Sequence, residues 1–327
     1  EAVDAASSGD TIFVYSGLYV ENIVVNKTLN LIGEDMNTTI LDGNYTGDTI
    51  FIADNADHVE ITEFTIQHAG EYHWFEDRLI DLRGDHAHIH HNFFTDTDKS
   101  AIIVEESSYN TIEHNIFYDI GRTGNGYNTI YIYTGINTIV KNNVFQKIDT
   151  ACLISGGVSD CIVKDNTINK SEYGIYLSGC DGCSVFRNTI INCHRGIVIA
   201  SFSEMCVVYE NTIIGCDNAI DAFVDSQYTP PAWDYAFHNN LINNTYNFIG
   251  GGKVYRSAPY PIGGNYFSSY NGTDDYHGPD QDIPGSDGIY DSKYNGDNYP
   301  FVEKDGWMKM EIEPTLLALG GIDLTSN

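Results

Sequence analysis

Residues 161–168 read CIVKDNTI, residues 183–190 read CSVFRNTI, and residues 206–213 read CVVYENTI. Near-copies offset by 22 and 23 residues are a repeat, and the period of a repeat bounds the fold before any other feature does. At its centre is an Asn, followed after one residue by Ile or Phe. The triplet recurs as HHNFF at Asn92, EHNIF at Asn115, NNVF at Asn143, NNLI at Asn240 and GNYF at Asn265. From Asn92 onward the spacings are 23, 28, 23, 22, 23, 29 and 25 residues. A period near 23 with no heptads and many β-branched residues belongs to short strands, not helices.

The columns of the repeat define its inside. Three residues before the Asn stand Ile89, Ile112, Val140, Val163, Val185, Val208 and Phe237. Two residues after it stand Phe94, Phe117, Phe145, Ile168, Ile190, Ile213, Ile242 and Phe267. Both columns are apolar throughout, so both point inward. The Asn sits at the turn between strands, where its amide can bond its own backbone and the Asn of the next coil, forming a ladder. The expected fold is all-β: a single-stranded parallel β-helix, right-handed as parallel crossovers are. With each coil rising by one strand spacing, about ten coils give a rod roughly 50 Å long. After Asn265 the period stops, so residues 1–267 are assigned to the β-helix and residues 268–327 to an irregular acidic tail and C-terminal cap. Insertions near Gly70–Asp77, Gly121–Asn128 and Asp225–Tyr235 stretch the period and are expected to emerge on one side of the rod, where loops on a rigid scaffold carry function.

The opening, AVDAASSGDTIFVYSGLYVENIVVNKTLNLIGED, resembles the first segment of pectin-lyase-like β-helix proteins. The triplet coils and the ending GGNYFSSYNGTDD, DGIYD and NGDNYP are similar to the NosD-like family. The resemblance covers nearly the whole chain and implies the β-helix fold. It also implies a secreted or surface protein of archaeal type, envelope-layer proteins being among that family's members. It supplies no shared catalytic motif, and fold alone does not fix function.

Composition narrows the partners. The 327 residues carry 46 Asp plus Glu against 16 Lys plus Arg, a formal charge of −30. Phosphate backbones and anionic membrane surfaces would be repelled, which excludes nucleic acid as a partner. No apolar run reaches the roughly 18 residues of a membrane span. No signal peptide is present and Glu1 opens inside a recognisable motif, so the chain is read as a processed or trimmed form. Sequons at Asn26, Asn37, Asn44, Asn169, Asn243 and Asn271 fit export to the cell surface, although a chain rich in Asn and Thr makes such triplets by chance.

Four groups of residues are candidates for chemistry. Cys161, Cys183 and Cys206 share one inward column, Cys193 and Cys216 a second, and Cys152 a third. Inward Cys packs as a small hydrophobe, so a reduced core ladder is the simplest expectation; the close pair Cys180 and Cys183 lacks the second pair of a zinc ribbon. His86, His88 and His90 alternate along one strand and are expected to share an outward face, as a transition-metal site or a solvated polar face. Asp275, Asp280, Asp282, Asp287 and Asp291 cluster among glycines, as a calcium-binding loop or a solvated acidic one.

The fourth group lies on the strand face that precedes each coil's return. Its outward residues are Asp81, Ile103, Tyr131, Leu153, Tyr176, Val198 and then Asp221, and the run from Ile103 to Val198 is an apolar stripe expected to form an interface or a sugar-stacking platform. Asp81, Arg83 and Glu105 gather at its amino-terminal end near Trp74, as a catalytic centre or an ordinary salt-bridge cluster.

Three functions are therefore carried forward. The first is an extracellular structural or adhesive cell-envelope protein of surface-layer or sheath type, packing against copies of itself or other envelope components, or binding surface glycans. The absence of mid-groove carboxylates favours it and weighs against catalysis. The alternative is a polysaccharide lyase or glycoside hydrolase centred on Asp81, Arg83 and Glu105, or a glycan binder using Trp74, Tyr131, Tyr176 and Trp233. The last is a metal-handling accessory role resting on His86, His88 and His90.

Overall fold

A computed structural model describes residues 1–70, 77–121, 128–200, 202–223, 233–251 and 254–309. Helix is confined, among these, to one turn at Ala2–Ala5 and a 3₁₀ turn at Gly306–Lys309. Everything else of regular structure is strand, and the strands stack in three parallel ladders. One coil shows the pattern: His88–His90 lies in the first ladder, Phe93–Thr97 in the second and Ile102–Glu105 in the third. Each strand pairs in register with its equivalent one coil later, as in Ile89 with Ile112, Phe94 with Phe117, and Ile103 with Tyr131. Among the described residues the first ladder runs to eleven strands, from Thr11–Val14 to Val254–Tyr255.

The apolar columns fill the space enclosed by the ladders. Ile89, Ile112, Val140, Val163, Val185 and Val208 are buried, as are Phe94, Phe117 and Phe145. The rings of those three Phe stack at 4.8 Å, the strand spacing itself, so one rotamer repeats from coil to coil. All seven cysteines are buried free thiols within this interior.

The asparagine ladder forms at the turn between the first and second ladders. Asn166 is representative: its Oδ1 accepts the Asn143 backbone N–H at 2.9 Å and the Asn143 Nδ2–H at 3.1 Å. Its own Nδ2 donates to the Val140 carbonyl at 2.9 Å and to Asn188 Oδ1 at 3.0 Å. The turn needs left-handed backbone at the residue before the Asn, and His91, His114, Asn142, Asp165, Arg187, Glu210 and His238 all adopt it, with φ between 52° and 57°. That conformation is costly for residues with a Cβ, and the hydrogen bonds of the ladder offset it.

Two expectations about register are corrected. The ladder member after Asn211 is Asn239, not Asn240, because Asn239 Oδ1 takes the Asn211 N–H at 3.1 Å. Ala236 and Leu241 therefore point inward where Phe237 and Ile242 were expected; Phe237 packs instead in a separate cluster with Val207, Ala258 and Ile262. The insertions lie outside the described residues, and in sequence they do not all join the same pair of strands. Residues 71–76 and 122–127 fall between the second and third ladders, whereas residues 224–232 fall between the third and the next strand of the first.

Beyond Tyr266–Phe267 the described residues leave the ladders. Tyr276–His277 and Ile283–Pro284 form a small antiparallel pair, and Ile289, Phe301 and Trp307 make their own buried cluster. This segment returns to the last coil through Phe301, which bridges to Tyr266, and through Asp305, whose side chain accepts from Asn240 Nδ2 at 2.6 Å.

Candidate functional site

The outer face of the third ladder carries one residue per coil in the register Phe51, Asp81, Ile103, Tyr131, Leu153, Tyr176, Val198, Asp221 and Ile249. The four central members from Ile103 to Tyr176 are half-buried and form a continuous apolar strip about 15 Å long. Val198 departs from expectation: it points outward by register but is 0 % exposed, so the strip ends at Tyr176. Beside the strip, Tyr133 is 40 % exposed and inclined to Tyr131 with ring centroids 5.8 Å apart. Gly156, at φ +82°, makes room for it, because a Cβ there would lie 2.4 Å from the Tyr133 ring. Ser155 bonds the Tyr131 phenol, while burial pushes that phenol's pKa up.

Charged clusters close both ends of the strip. At the amino-terminal end Asp81, Arg83 and Glu105 do come together. Asp81 Oδ2 accepts from Arg83 at 3.2 Å and from Arg78 at 3.1 Å, and Arg83 reaches Glu105 at 3.2 Å. Arg83 also lies over the Phe51 ring at 5.4 Å, and its hydrogen bond to Asp81 raises its already high pKa. Asp81 is 1 % exposed, so it cannot meet a ligand; it orients the two guanidinium groups. The groups of the cluster open to solvent are Arg83 and Glu105.

Sequence reasoning missed two members of this cluster. Arg78 is buried against Asp81, and its backbone N–H donates to Asp48 Oδ1 at 2.8 Å. Burial raises the Asp48 carboxyl to about 7, with the charges of Asp81 and Asp77 pushing the same way and the Arg78 N–H opposing. Asp48 is therefore a half-buried acid that holds its proton near neutrality. Its only sequence signal is position: it lies opposite Arg78 one coil earlier, in a coil that precedes the first recognisable triplet.

At the other end Arg195 donates to Asp221 Oδ2 at 2.7 Å and lies over the Tyr173 ring at 5.5 Å. Burial raises the Asp221 carboxyl and Arg195 partly counters it. Trp233 stacks on Tyr255 at 4.3 Å, on the first-ladder side of the insertion. Trp74 lies outside the described residues.

The remaining candidates are distributed elsewhere. His86 does not share a face with His88 and His90; it has φ 58° and its ring is stacked between His58 and Tyr109 in the turn. A strand alternation cannot continue through a left-handed residue, which is why spacing alone misplaced it. His88 and His90 do point outward together, with ring centroids 4.0 Å apart. Among the described residues, two sets of three or more potential metal ligands lie within 4.8 Å of one another: Glu60, His88 and His90, and Cys180, Cys183 and Cys206. In the thiol set Cys180 Sγ is 3.7 Å from Cys206 Sγ. Asp275, Asp280, Asp282, Asp287 and Asp291 do not converge in this way. Asp291 accepts the backbone N–H groups of Asp275 and Tyr276, and Asp287 accepts from Gln281 and Ile289. Of the sequon asparagines, Asn169 is half-buried in a strand and the other five are exposed.

Comparison with known proteins follows the architecture. A family described as "Right handed beta helix region" matches residues 78–245, just over half of the chain. The chain belongs to this right-handed β-helix family. No curated protein matches it. Among solved structures it is similar to an alginate lyase from Paenibacillus sp. str. FPU-7, with 15 % identity and a TM-score of 0.63 over 77 % of this chain and 94 % of the lyase. It is similar also to XylC in complex with xylose, with 12 % identity and a TM-score of 0.60 over 74 % of this chain and 66 % of XylC. A family 28 exopolygalacturonase from Yersinia enterocolitica gives 13 % identity and a TM-score of 0.52 over 77 % of this chain and 62 % of that one. This β-helix chain thus spans less than two thirds of the latter two proteins' length, and at such identities the likeness is one of fold.

Proposed function

We propose that this β-helix protein is a carbohydrate-active protein of the cell exterior, and that the outer face of its third ladder binds a polysaccharide along the rod. The observation that carries the reading is the strip Ile103–Tyr131–Leu153–Tyr176, an apolar and aromatic platform bounded at each end by an arginine–carboxylate cluster. Sugar rings stack on such platforms through their C–H faces, while their hydroxyls take hydrogen bonds from charged rims. Proteins of the same fold that act on polysaccharides, an alginate lyase and an exopolygalacturonase among them, support the assignment by analogy.

The charge balance selects among polysaccharides. Arg78 and Arg83 are matched by Asp81 and Glu105, Asp77 adds negative charge, and the whole chain stands at −30. A polyuronate would meet no net positive field, so the groove favours a neutral glycan. Where cleavage occurs, Glu105, exposed beside Arg83, and Asp48, held on the Arg78 backbone N–H with its carboxyl pushed up to about 7 by burial, are the pair to test as acid and base. Incubation with a panel of neutral and uronate polysaccharides, followed by reducing-end assays and direct binding titration, tests the reading. Binding of a neutral glycan supports it, and absence of both binding and cleavage across the panel removes it.

Self-association in an envelope layer is the second reading. It is favoured by the outer surface of the first coil, where Phe13, Tyr15, Leu18, Val20 and Val24 are all exposed. Mass photometry at increasing concentration decides it: ordered polymers favour this role, and a strict monomer abolishes it.

A further inference from the structure

The first ladder carries a second constellation on a different face from the groove. Glu60 and His88 are register partners on neighbouring coils, and His90 lies two residues beyond His88, on the same side of the strand. His90 Nε2 is 2.9 Å from Glu60 Oε1. One nitrogen from each histidine and one oxygen from Glu60 all lie within 4.8 Å of one another. We propose that Glu60, His88 and His90 form a binding site for a divalent transition-metal ion of the zinc class, clamping two adjacent coils.

The donor set decides the class of ion. Two imidazoles and one carboxylate suit zinc, cobalt, nickel or copper, whereas calcium and magnesium prefer sets made of oxygen alone. Ligands on one such ion, each about 2.1 Å from it, sit roughly 3 Å apart, so the three side chains need only small rotations to converge. All three stand on paired strands, so the backbone does not have to reorganise to bring them together. A three-ligand set on a solvent-facing strand leaves further coordination positions to water.

A supporting shell is already in place. His88 Nε2 is 2.8 Å from Glu113 Oε1, and Glu113 is in turn held by Lys141 at 3.2 Å and His114 at 3.2 Å. On the other side His90 Nδ1 is 3.1 Å from Thr62 Oγ1 and 2.8 Å from His91 Nδ1. Carboxylate and hydroxyl partners of this kind fix the ring orientation of metal-binding histidines and raise their basicity. The arrangement spans three coils, with Glu60 on the first, His88 and His90 on the second, and Glu113 on the third.

The test is calorimetric titration of the intact chain with zinc in the presence of excess calcium, which saturates sites made of carboxylates alone. Thermal unfolding with and without zinc is followed in parallel. Wild type should bind zinc despite the calcium and melt higher with it, because an ion that binds only the folded chain stabilises it. The H88A/H90A double variant should lose that binding and the melting shift. E113Q should weaken binding about tenfold, as loss of a supporting carboxylate does. H86A should bind as wild type. His88 is half-exposed, so H88A alone provides a folded variant, checked by its circular dichroism, should the double substitution unfold the chain. Zinc affinity unchanged in H88A/H90A, binding removed by C180S instead, or no binding by wild type would each overturn the proposal.

Discussion

Asp297 terminates the asparagine ladder: its Oδ2 accepts the backbone N–H of Asn265 at 2.6 Å and the Asn265 Nδ2–H at 3.1 Å, taking the place that the next asparagine would occupy. Its Oδ1 accepts the Tyr299 N–H at 2.9 Å, so one carboxyl group joins the last rung to the returning segment. Gly264 allows this approach, since a Cβ there would lie 1.9 Å from Asp297 Oδ1. Asp297→Ala should leave the Asn265 and Tyr299 backbone N–H groups without their partner, while the Asn265 amide still donates to the Ala236 and Arg256 carbonyls, and lower stability by about 2 kcal/mol. Gly264→Ala should act in the same direction by forcing the carboxyl away. Urea unfolding measures both, and a change under about 0.5 kcal/mol in Asp297→Ala would show that water replaces the carboxyl at little cost.

The same burial makes stability depend on pH. The carboxyls of Asp48, Asp234 and Asp297 are each raised from 3.8 to about 7, burial being the largest cause in all three. A group that holds its proton more tightly when folded contributes most below its unfolded pKa, and the contribution is lost as pH rises through the folded value. Melting temperature should therefore fall between pH 4 and pH 7.5. For Asp297, the most buried of the three, the change is on the order of 4 kcal/mol. Asp297→Asn mimics the protonated acid and should flatten the slope; an equally steep slope in that variant would show that Asp297 does not titrate in this window.

Within the ladder, Asn166→Asp provides a more selective probe than truncation. The acid keeps the acceptor for Asn143 but sets an oxygen against the Val140 carbonyl and Asn188 Oδ1, both of which now receive N–H bonds. Replacing two attractive contacts by two repulsive ones inside the rod should cost about 3 kcal/mol or more. The measurement is again the denaturation midpoint, and a stability equal to wild type would mean that the amide hydrogen bonds do not hold the coils.

Much of the fold was legible because the repeat states it twice, in the apolar columns and in the asparagines. Ile89, Phe94 and Asn92 occupy the places their spacing assigned. The slip at Asn239 and Asn240 arose where two asparagines adjoin, because only the hydrogen bond to Asn211 distinguishes them. His86 was misplaced because left-handed backbone at a residue other than Gly leaves a weak trace in sequence. The candidate site was half legible. Register brought Asp81, Arg83 and Glu105 together on paper, but Asp48 and Arg78 join them across coils, and the burial of Val198 and Asp81 depends on packing around the strand rather than on its alternation.

For the groove, the aromatic strip makes a specific claim about affinity. Tyr131 and Tyr176 are one coil apart from Leu153 on either side, and Leu153 supplies the apolar floor between them. Removing either ring should weaken glycan binding about tenfold, equivalent to about 1.4 kcal/mol, while Tyr255→Ala, on the first ladder, should leave it unchanged. Titration with a neutral oligosaccharide long enough to span three coils reads the difference. Affinity unchanged from wild type in both Tyr131→Ala and Tyr176→Ala would place glycan binding away from this face.

Asp48 separates binding from chemistry. Burial pushes its carboxyl up to about 7, so a reaction that takes a proton from it should slow as pH rises through that value, with binding of substrate little affected. Asp48→Asn preserves an acceptor for the Arg78 N–H, and with it the position of the Arg78 backbone, but has no proton to give. Turnover of a cleaved glycan should drop by about 10²–10⁴-fold in this variant, and the alkaline limb of the pH profile should disappear with it. Asp81→Asn should behave differently, because Asp81 works through the arginines: its loss should weaken binding and disturb Glu105, while the alkaline limb persists but moves to lower pH, since the Asp81 charge helps hold the Asp48 carboxyl up. If Asp48→Asn retains both wild-type turnover and the limb near pH 7, the proton comes from another group, and the raised pKa of Asp48 reflects burial alone.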